Sequence, residues 1–209
     1  MTWSLFDNRG RRKYLVASER QAFLRTAFAI GGEIGTFCAV LALCGPRISE
    51  ALALTPERID RAAGIITFET LKRRKRGVMR SVPAPAEVLI FLEHVHNISA
   101  LTGDLARANL RIWPWSRTTA WRYVKVVMAE AGIPEYLQQP KALRHAFGAS
   151  AANNLVVLTL IQKWLGHAKL ETTEHYTHLV GREERLLAKR TWREVSRAFP
   201  NLPPSTPGP

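Results

Sequence analysis

Apolar residues recur at helical spacing over most of the chain and at strand spacing in one short interval. Phe23, Leu24, Phe28 and Ile30 mark a helix starting near Glu19, where "SERQ" (18–21) reads as a capping box, and ending at Gly31–Gly32. A second helix is predicted over 34–43, and the amphipathic "RISEALALT" predicts a third, short one. "GIITFETL" (64–71) changes the period. Its β-branched and aromatic residues predict a strand, with "GVMRSVPAP" (77–85) as partner and "KRRKR" (72–76) as the hairpin tip. "PAEVLIFLEHVHNI" returns to helix, and 100–115 is irregular. Ser116 caps a helix running to Ala131, closed by Gly132 and stopped by Pro134. From Lys141 the pattern is helical nearly to the end, with breaks at Asn153–Asn154, Gly166 and Gly181. No internal repeat is present. The expected architecture is mainly α with a small antiparallel β-sheet.

The length, 209 residues, suits one domain with appendages: a basic leader over 1–17 expected to be extended or loose, a domain over 18–199, and a proline-rich tail over 200–209 expected to be disordered. A net charge of +13 makes the chain repel itself unless a polyanion is its usual partner, which points to nucleic acid. Cys38 and Cys44 sit in an apolar segment and read as small buried hydrophobes, in keeping with a reducing cytoplasm. "FCAVLALCG" (37–45) is too short to span a bilayer, so no membrane partner is expected.

Four stretches concentrate the candidate chemistry: "CGPRISEALAL", "TLKRRKRGVMRSVP", "KALRHAFG" and "WLGHAKLETTEHYTH". Arg47 opens a helix directly after Gly45–Pro46. A cation there opposes the helix dipole, a placement that suits a bound anion on which amides and guanidinium converge, and Glu50 one turn later is placed to buttress it. A turn at Gly166–His167 followed by a short helix would bring Tyr176 back beside His167. Three imidazoles (His167, His175, His178) raise the alternative of a metal site. That stretch holds no cysteine, and a metal would leave Tyr176 without a purpose, so none is expected.

The four stretches, in this order and with a hairpin between the first two, resemble the tyrosine recombinases, or phage-type integrases, over residues 18–198. The resemblance implies their catalytic-domain fold, of the DNA breaking-rejoining type. It implies Tyr176 as the nucleophile that forms a 3′-phosphotyrosyl link. Arg47 and Arg144 would clamp the non-bridging oxygens, Lys72 would protonate the leaving 5′-oxygen, and His167 would hydrogen-bond the phosphate or assist proton movement. The chemistry is self-consistent. A tyrosyl ester conserves the bond energy, so rejoining needs no ATP, and two guanidiniums stabilise charge that other enzymes meet with metal ions. No cofactor is implied. A lysine crowded by other cations gives up its proton more readily.

The chain departs from the family at one point: Lys141-Ala-Leu-Arg144 stands where His-x-x-Arg is usual. A neutral Lys141 would take the tyrosine proton, whereas a charged one would only bind phosphate. His145 reads as structural. Arg73, Arg74, Lys75 and Arg76 on the hairpin, and Arg117, Arg122 and Lys125 on the helix after Ser116, read as contacts to double-stranded DNA. Trp113 and Trp115 read as packing anchors. With 46 residues before Arg47, no counterpart of the family's separate N-terminal DNA-binding domain is expected. Leu186, Leu187, Trp192, Val195 and Phe199 form an apolar face expected either to pack on the chain's own domain or to mediate self-association on DNA. Two alternatives remain open: a catalytically impaired DNA-binding protein of the same fold, and a topoisomerase-like nicking and resealing activity.

Overall fold

In the computed structural model, residues 5–71, 77–104 and 106–167 are described. Eight helices and three strands are found among them: α1 Ala17–Ile30, α2 Gly32–Cys44, α3 Ile48–Leu52, β1 Ile59–Asp60, β2 Ile65–Glu69, β3 Met79–Pro83, α4 Ala86–His96, α5 Ile98–Gly103, α6 Arg117–Glu130, α7 Pro140–Asn153 and α8 Leu158–Leu165. Helix α2 is apolar around its whole circumference, from Phe37 through Ala42 to Cys44, and such a helix must lie inside. It forms the centre of the domain, with α1, α3, α4, α6 and α7 against it. Both cysteines are on it, fully buried, and burial pushes each thiol up to about 12. Trp113 donates to Thr36 Oγ1 at 3.3 Å and meets Phe37 edge-on, while Trp115 stacks edgewise on Phe37 and Tyr123. Both tryptophans are packing anchors, as their sequence context implied.

The sheet is antiparallel in the order β1-β2-β3. Its register pairs Ile66 with Val82 and Phe68 with Arg80, so these four side chains share the inward face. Three are ordinary core residues; the fourth, Arg80, is a buried cation 6% exposed. Residues 72–76, and with them Lys72, Arg73, Arg74, Lys75 and Arg76, lie outside the described residues, as does everything from 168 onward, including Tyr176 and the C-terminal apolar face.

Three expectations are corrected. Ser18 is not the helix cap. Helix α1 begins at Ala17, and Glu19 reaches back to accept from the Val16 amide at 2.9 Å. Part of 100–115 is helical (α5), and the two-residue β1 was too short to leave a periodic signal. The leader is neither extended nor loose over 5–16. A turn at Asp7–Gly10 closes a hairpin in which the Lys13 amide donates to the Leu5 carbonyl at 2.8 Å. Leu5 and Leu15 are buried, and Arg12 forks onto the Glu19 carboxylate with both bonds at 2.6 Å. Two apolar anchors and a bidentate ion pair outweigh the loss of chain entropy that a polar leader would otherwise avoid.

Helix α2 ends where the chain must turn sharply into α3. Gly45 sits at φ +65°, and a Cβ there would stand 2.5 Å from Phe147 Cδ1. Gly45→Ala therefore combines a left-handed backbone with a clash against a packed ring, and stability should fall by about 2–5 kcal/mol, read as the urea unfolding midpoint.

Candidate active site

The turn at Gly45–Pro46 makes Arg47 the N-cap of α3, with an extended backbone (φ −72°, ψ 151°). Glu50 closes that cap. Its Oε2 accepts from the Arg47 amide at 2.8 Å, and its Oε1 accepts from Arg47 Nη1 at 2.7 Å. The Glu50 side chain has no exposed surface, whereas that of Arg47 retains 29%. A buried carboxylate held by one partly exposed arginine would be costly to desolvate. The inward-facing Arg80 supplies what is missing, donating to Glu50 Oε2 at 2.6 Å. Arg144 Nη1 lies 3.9 Å from the same oxygen. Burial works to raise the Glu50 carboxyl; Arg80, the Arg47 amide and guanidinium, and Arg144 together outweigh it and hold the group below the usual carboxylate range.

Arg80 is saturated in three further directions. Its Nη1 donates to Thr70 Oγ1 at 3.0 Å, its Nε donates to the Trp164 carbonyl at 2.8 Å, and its guanidinium lies over the Phe68 ring at 5.4 Å. One side chain thus ties the hairpin to α3 and to the end of α8. Arg144, on α7, donates to the Gly45 carbonyl at 2.8 Å and to the Leu165 carbonyl. It locks the turn before Arg47 to the turn before His167. Gly166, at φ +62°, completes the junction, since a Cβ there would approach both Arg80 Cδ and Thr70 Oγ1 at 3.1 Å.

The groups so positioned open onto a cavity of about 530 Å³ whose lining, among the described residues, includes Arg47, Arg117, Lys141, Arg144, His145 and His167 and no acidic residue. Lys141 is the second residue of α7, adding a cation at a helix start where free amides already favour an anion. Burial first, then the charges of Arg144, Arg47 and Arg80, push His167 down to about 3, with Glu50 opposing. Burial, then Lys141, Arg144, His167 and Lys13, do the same to His145, also to about 3. Both imidazoles are therefore neutral in the physiological range, each offering one donor and one acceptor.

Of the expected site residues, the cavity unites Arg47, Lys141, Arg144, His167 and Arg117. Lys125 packs its ammonium over the Trp121 ring at 5.7 Å, and Trp121 itself lines the cavity. Arg122 is exposed on α6, outside the lining. Lys72, Arg73–Arg76 and Tyr176 lie outside the described residues. Among those residues no group of His, Cys, Asp and Glu is arranged to hold a metal, and no helix is long and apolar enough to cross a membrane. Sequence reasoning gave no role to Arg80. The signal available was strand alternation, which places residue 80 on the buried face beside Val82.

The assembly of α-helices around α2 with a three-stranded flank is the fold of a tyrosine recombinase catalytic domain. It matches a crystal structure of XerA recombinase with a TM-score of 0.69 and 26% identity, covering 85% of this chain and 62% of that one. It matches XerH site-specific recombinase bound to difH substrate with a TM-score of 0.66 and 20% identity, over 90% of this chain and 60% of that one, a likeness of fold alone. In sequence it is 30% identical over 157 residues to tyrosine recombinase XerD of Pseudomonas putida, covering 72% of this chain and 51% of that protein. It is 32% identical over 146 residues to tyrosine recombinase XerD of Proteus mirabilis, covering 67% and 45%. The chain thus spans about half the length of the curated relatives it matches. Residues 15–182 match the model of the phage integrase family, and the chain belongs to that family.

Two outcomes follow from the electrostatics. Arg80→Ala strands the Glu50 carboxylate in a dry interior and should cost about 3–5 kcal/mol in chemical denaturation. His145 and His167 bind protons far more readily when unfolded. Their contribution to stability is complete above the ordinary value of 6.5 and is lost as pH falls toward about 3. The thermal midpoint should decline over that interval, with a shallower decline in His145→Gln.

Proposed function

We propose that this chain is the catalytic part of a site-specific DNA recombinase or integrase acting on double-stranded DNA. The observation that carries this reading is the cationic cavity, without an acid among its described lining residues, in which Arg47, Lys141, Arg144 and His167, drawn from three separate stretches, converge in a member of the phage integrase family. In the proposed reaction Tyr176 Oη attacks a backbone phosphorus. The bond from phosphorus to the 5′-oxygen breaks, and a 3′-phosphotyrosyl ester forms. Lys72 gives its proton to the departing 5′-oxygen. Arg47 and Arg144 neutralise the charge that grows on the non-bridging oxygens, and neutral His167 hydrogen-bonds one of them. Attack by a 5′-hydroxyl, from the same strand or another, reverses the step and releases Tyr176, so neither ATP nor metal enters the balance. The position of Thr70 beside Gly166 supports Lys72 as the acid, because it brings the mouth of the hairpin next to His167.

Lys141 either takes the phenolic proton or binds phosphate. Arg73, Arg74, Lys75, Arg76, Arg117, Arg122 and Lys125 supply contacts to the duplex backbone. The apolar face of Leu186, Leu187, Trp192, Val195 and Phe199 is proposed to mediate self-association on DNA.

The test uses nicked duplexes of randomised sequence, in which the cleaved fragment diffuses away and traps the intermediate. A protein–DNA adduct that survives denaturing electrophoresis and disappears in Tyr176→Phe is expected. Binding without an adduct would instead favour a DNA-binding protein that has lost catalysis, the reading suggested by Lys141. Lys141→Ala should lower the rate of adduct formation by about 10²–10⁴-fold if Lys141 is the base, and Lys141→His should restore it. An unchanged rate in Lys141→Ala would remove Lys141 from the mechanism.

A further inference from the structure

The cavity that holds the candidate chemistry is continued on one side by a second one, of about 290 Å³, bounded by Asp7, Arg11, Lys13, Tyr136, Lys141 and His145 among others. Lys141, His145 and Gln139 belong to both cavities, so the two share a wall. The far side of the second cavity is made by the folded hairpin 5–16, the segment that composition alone marks as a loose basic leader.

The charges of this hairpin are not equivalent. Arg12 is consumed by the Glu19 carboxylate. Arg11 is bound through Nε to Asp7 Oδ2 at 2.9 Å and rests over the Tyr136 ring at 5.1 Å. Asp7 is engaged in turn, accepting from the Arg9 and Arg11 amides at 2.9 and 2.8 Å, and these bonds keep its carboxyl below the ordinary range. Lys13 differs from its neighbours. Its backbone is pinned by the bond to Leu5, its side chain is half-buried, and no carboxylate among the described residues is paired with it. Its charge lies close enough to His145 to help press that imidazole down. A half-buried ammonium on a rigid hairpin, at the lip of a cavity that adjoins the reaction pocket, is a site waiting for an anion. DNA places phosphates along each strand at a rise of about 3.4 Å. A strand whose reactive phosphate sits between Arg47 and Arg144 must carry its neighbours past one wall of that pocket or the other.

We infer that hairpin 5–16 is a phosphate-binding wall of the active site, and that Lys13 takes a phosphate flanking the one that reacts. This rests on the reading of the chain as a DNA strand-transferring enzyme and adds a subsite to it. The hairpin also gives the domain a DNA grip independent of the contacts on α6.

The experiment measures binding of a short fluorescent duplex by Lys13→Ala and Lys13→Arg across a salt series. Arg25→Ala serves as a control, since Arg25 is exposed on α1 and lines neither cavity. Loss of one phosphate contact should reduce the slope of log affinity against log salt by about 0.9. The wild-type advantage over Lys13→Ala then shrinks about threefold as salt rises fourfold. Lys13→Arg should keep the slope, and the thermal midpoints of all variants should match. On a sequence recovered from trapped adducts, neutralising one flanking phosphate as a methylphosphonate should weaken wild type but not Lys13→Ala. A slope change in Arg25→Ala equal to that in Lys13→Ala, or an unchanged slope in Lys13→Ala, would overturn the inference. So would additive losses at every methylphosphonate position. Failure of the adduct assay would strike the enzymatic reading instead and leave the salt series to judge the subsite alone.

Discussion

The Glu50 carboxylate is the charge on which the rest of the site depends. Among the described residues it is the one acid buried where Arg47, Arg80 and Arg144 meet, and its burial is tolerable only because those guanidiniums surround it. Their crowding is tolerable only because it is there. Remove the carboxylate and three cations repel in a poorly screened interior; remove Arg80 and the anion is under-compensated. Each group is therefore held by the energetic need of the others. This constrains geometry more tightly than packing does, because Coulombic and hydrogen-bonding terms in a dry site fall off steeply when a donor moves.

Arg80 is spent on this framework, whereas Arg47 and Arg144 also line the cavity. Arg80 has every nitrogen engaged, to Glu50, Thr70 and Trp164. Arg144 spends donors on the carbonyls of Gly45 and Leu165. Those bonds are made to backbone at the two turns that deliver Arg47 and His167, so Arg144 helps to orient the groups with which it shares the cavity. Preorganisation of this kind lets donors act on developing charge without reorganising during the reaction. The two tight glycine turns at 45 and 166 belong to the same design, since each lets a backbone segment approach where a Cβ would collide.

Much of this was legible in the sequence, for identifiable reasons. Helices α4 and α6 carry their own periodicity, α2 is marked by its unbroken apolar run and the glycine after it, and Ser116 caps α6 as expected, accepting from the Thr119 amide at 3.1 Å. The convergence of Arg47, Lys141, Arg144 and His167 was legible only through the order of four motifs, because no local pattern says that residues a hundred positions apart share a cavity. Arg80 went unread because it sits in a run dense with arginines and lysines, where one buried cation cannot be told from several solvated ones until strand register is applied. The fold of 5–16 went unread because its stability comes from a tertiary anchor, Leu5 and Leu15 in the core and Arg12 on Glu19, rather than from local propensity. Ser18 misled because a capping box is a local motif: the reach-back role expected of Gln21 falls to Glu19, three residues after the true N-cap Val16, where Arg12 supplies a tertiary partner.

The distribution of acids explains why a chain with 30 Lys and Arg against 17 Asp and Glu folds with a cavity it leaves positive. The acids nearest the site are committed elsewhere. Asp7 closes a turn and pairs with Arg11, Glu19 caps α1 and pairs with Arg12, and Glu50 is sealed beneath the arginines. Among the described residues none is left to line the cavity, so these cations are not compensated there by an acid of the described part of the chain. Self-repulsion among Arg47, Lys141, Arg144 and Arg117 raises the energy of the empty state, and a bound polyanion relieves it. Burial first, and then the same repulsion, disfavours protonation of His145 and His167, which keeps two neutral hydrogen-bonding rings among the cations. A site built this way gains most when an anion carries both charge and directional acceptors, and a phosphodiester, with two non-bridging oxygens held at fixed angles, matches paired guanidiniums better than a spherical ion does.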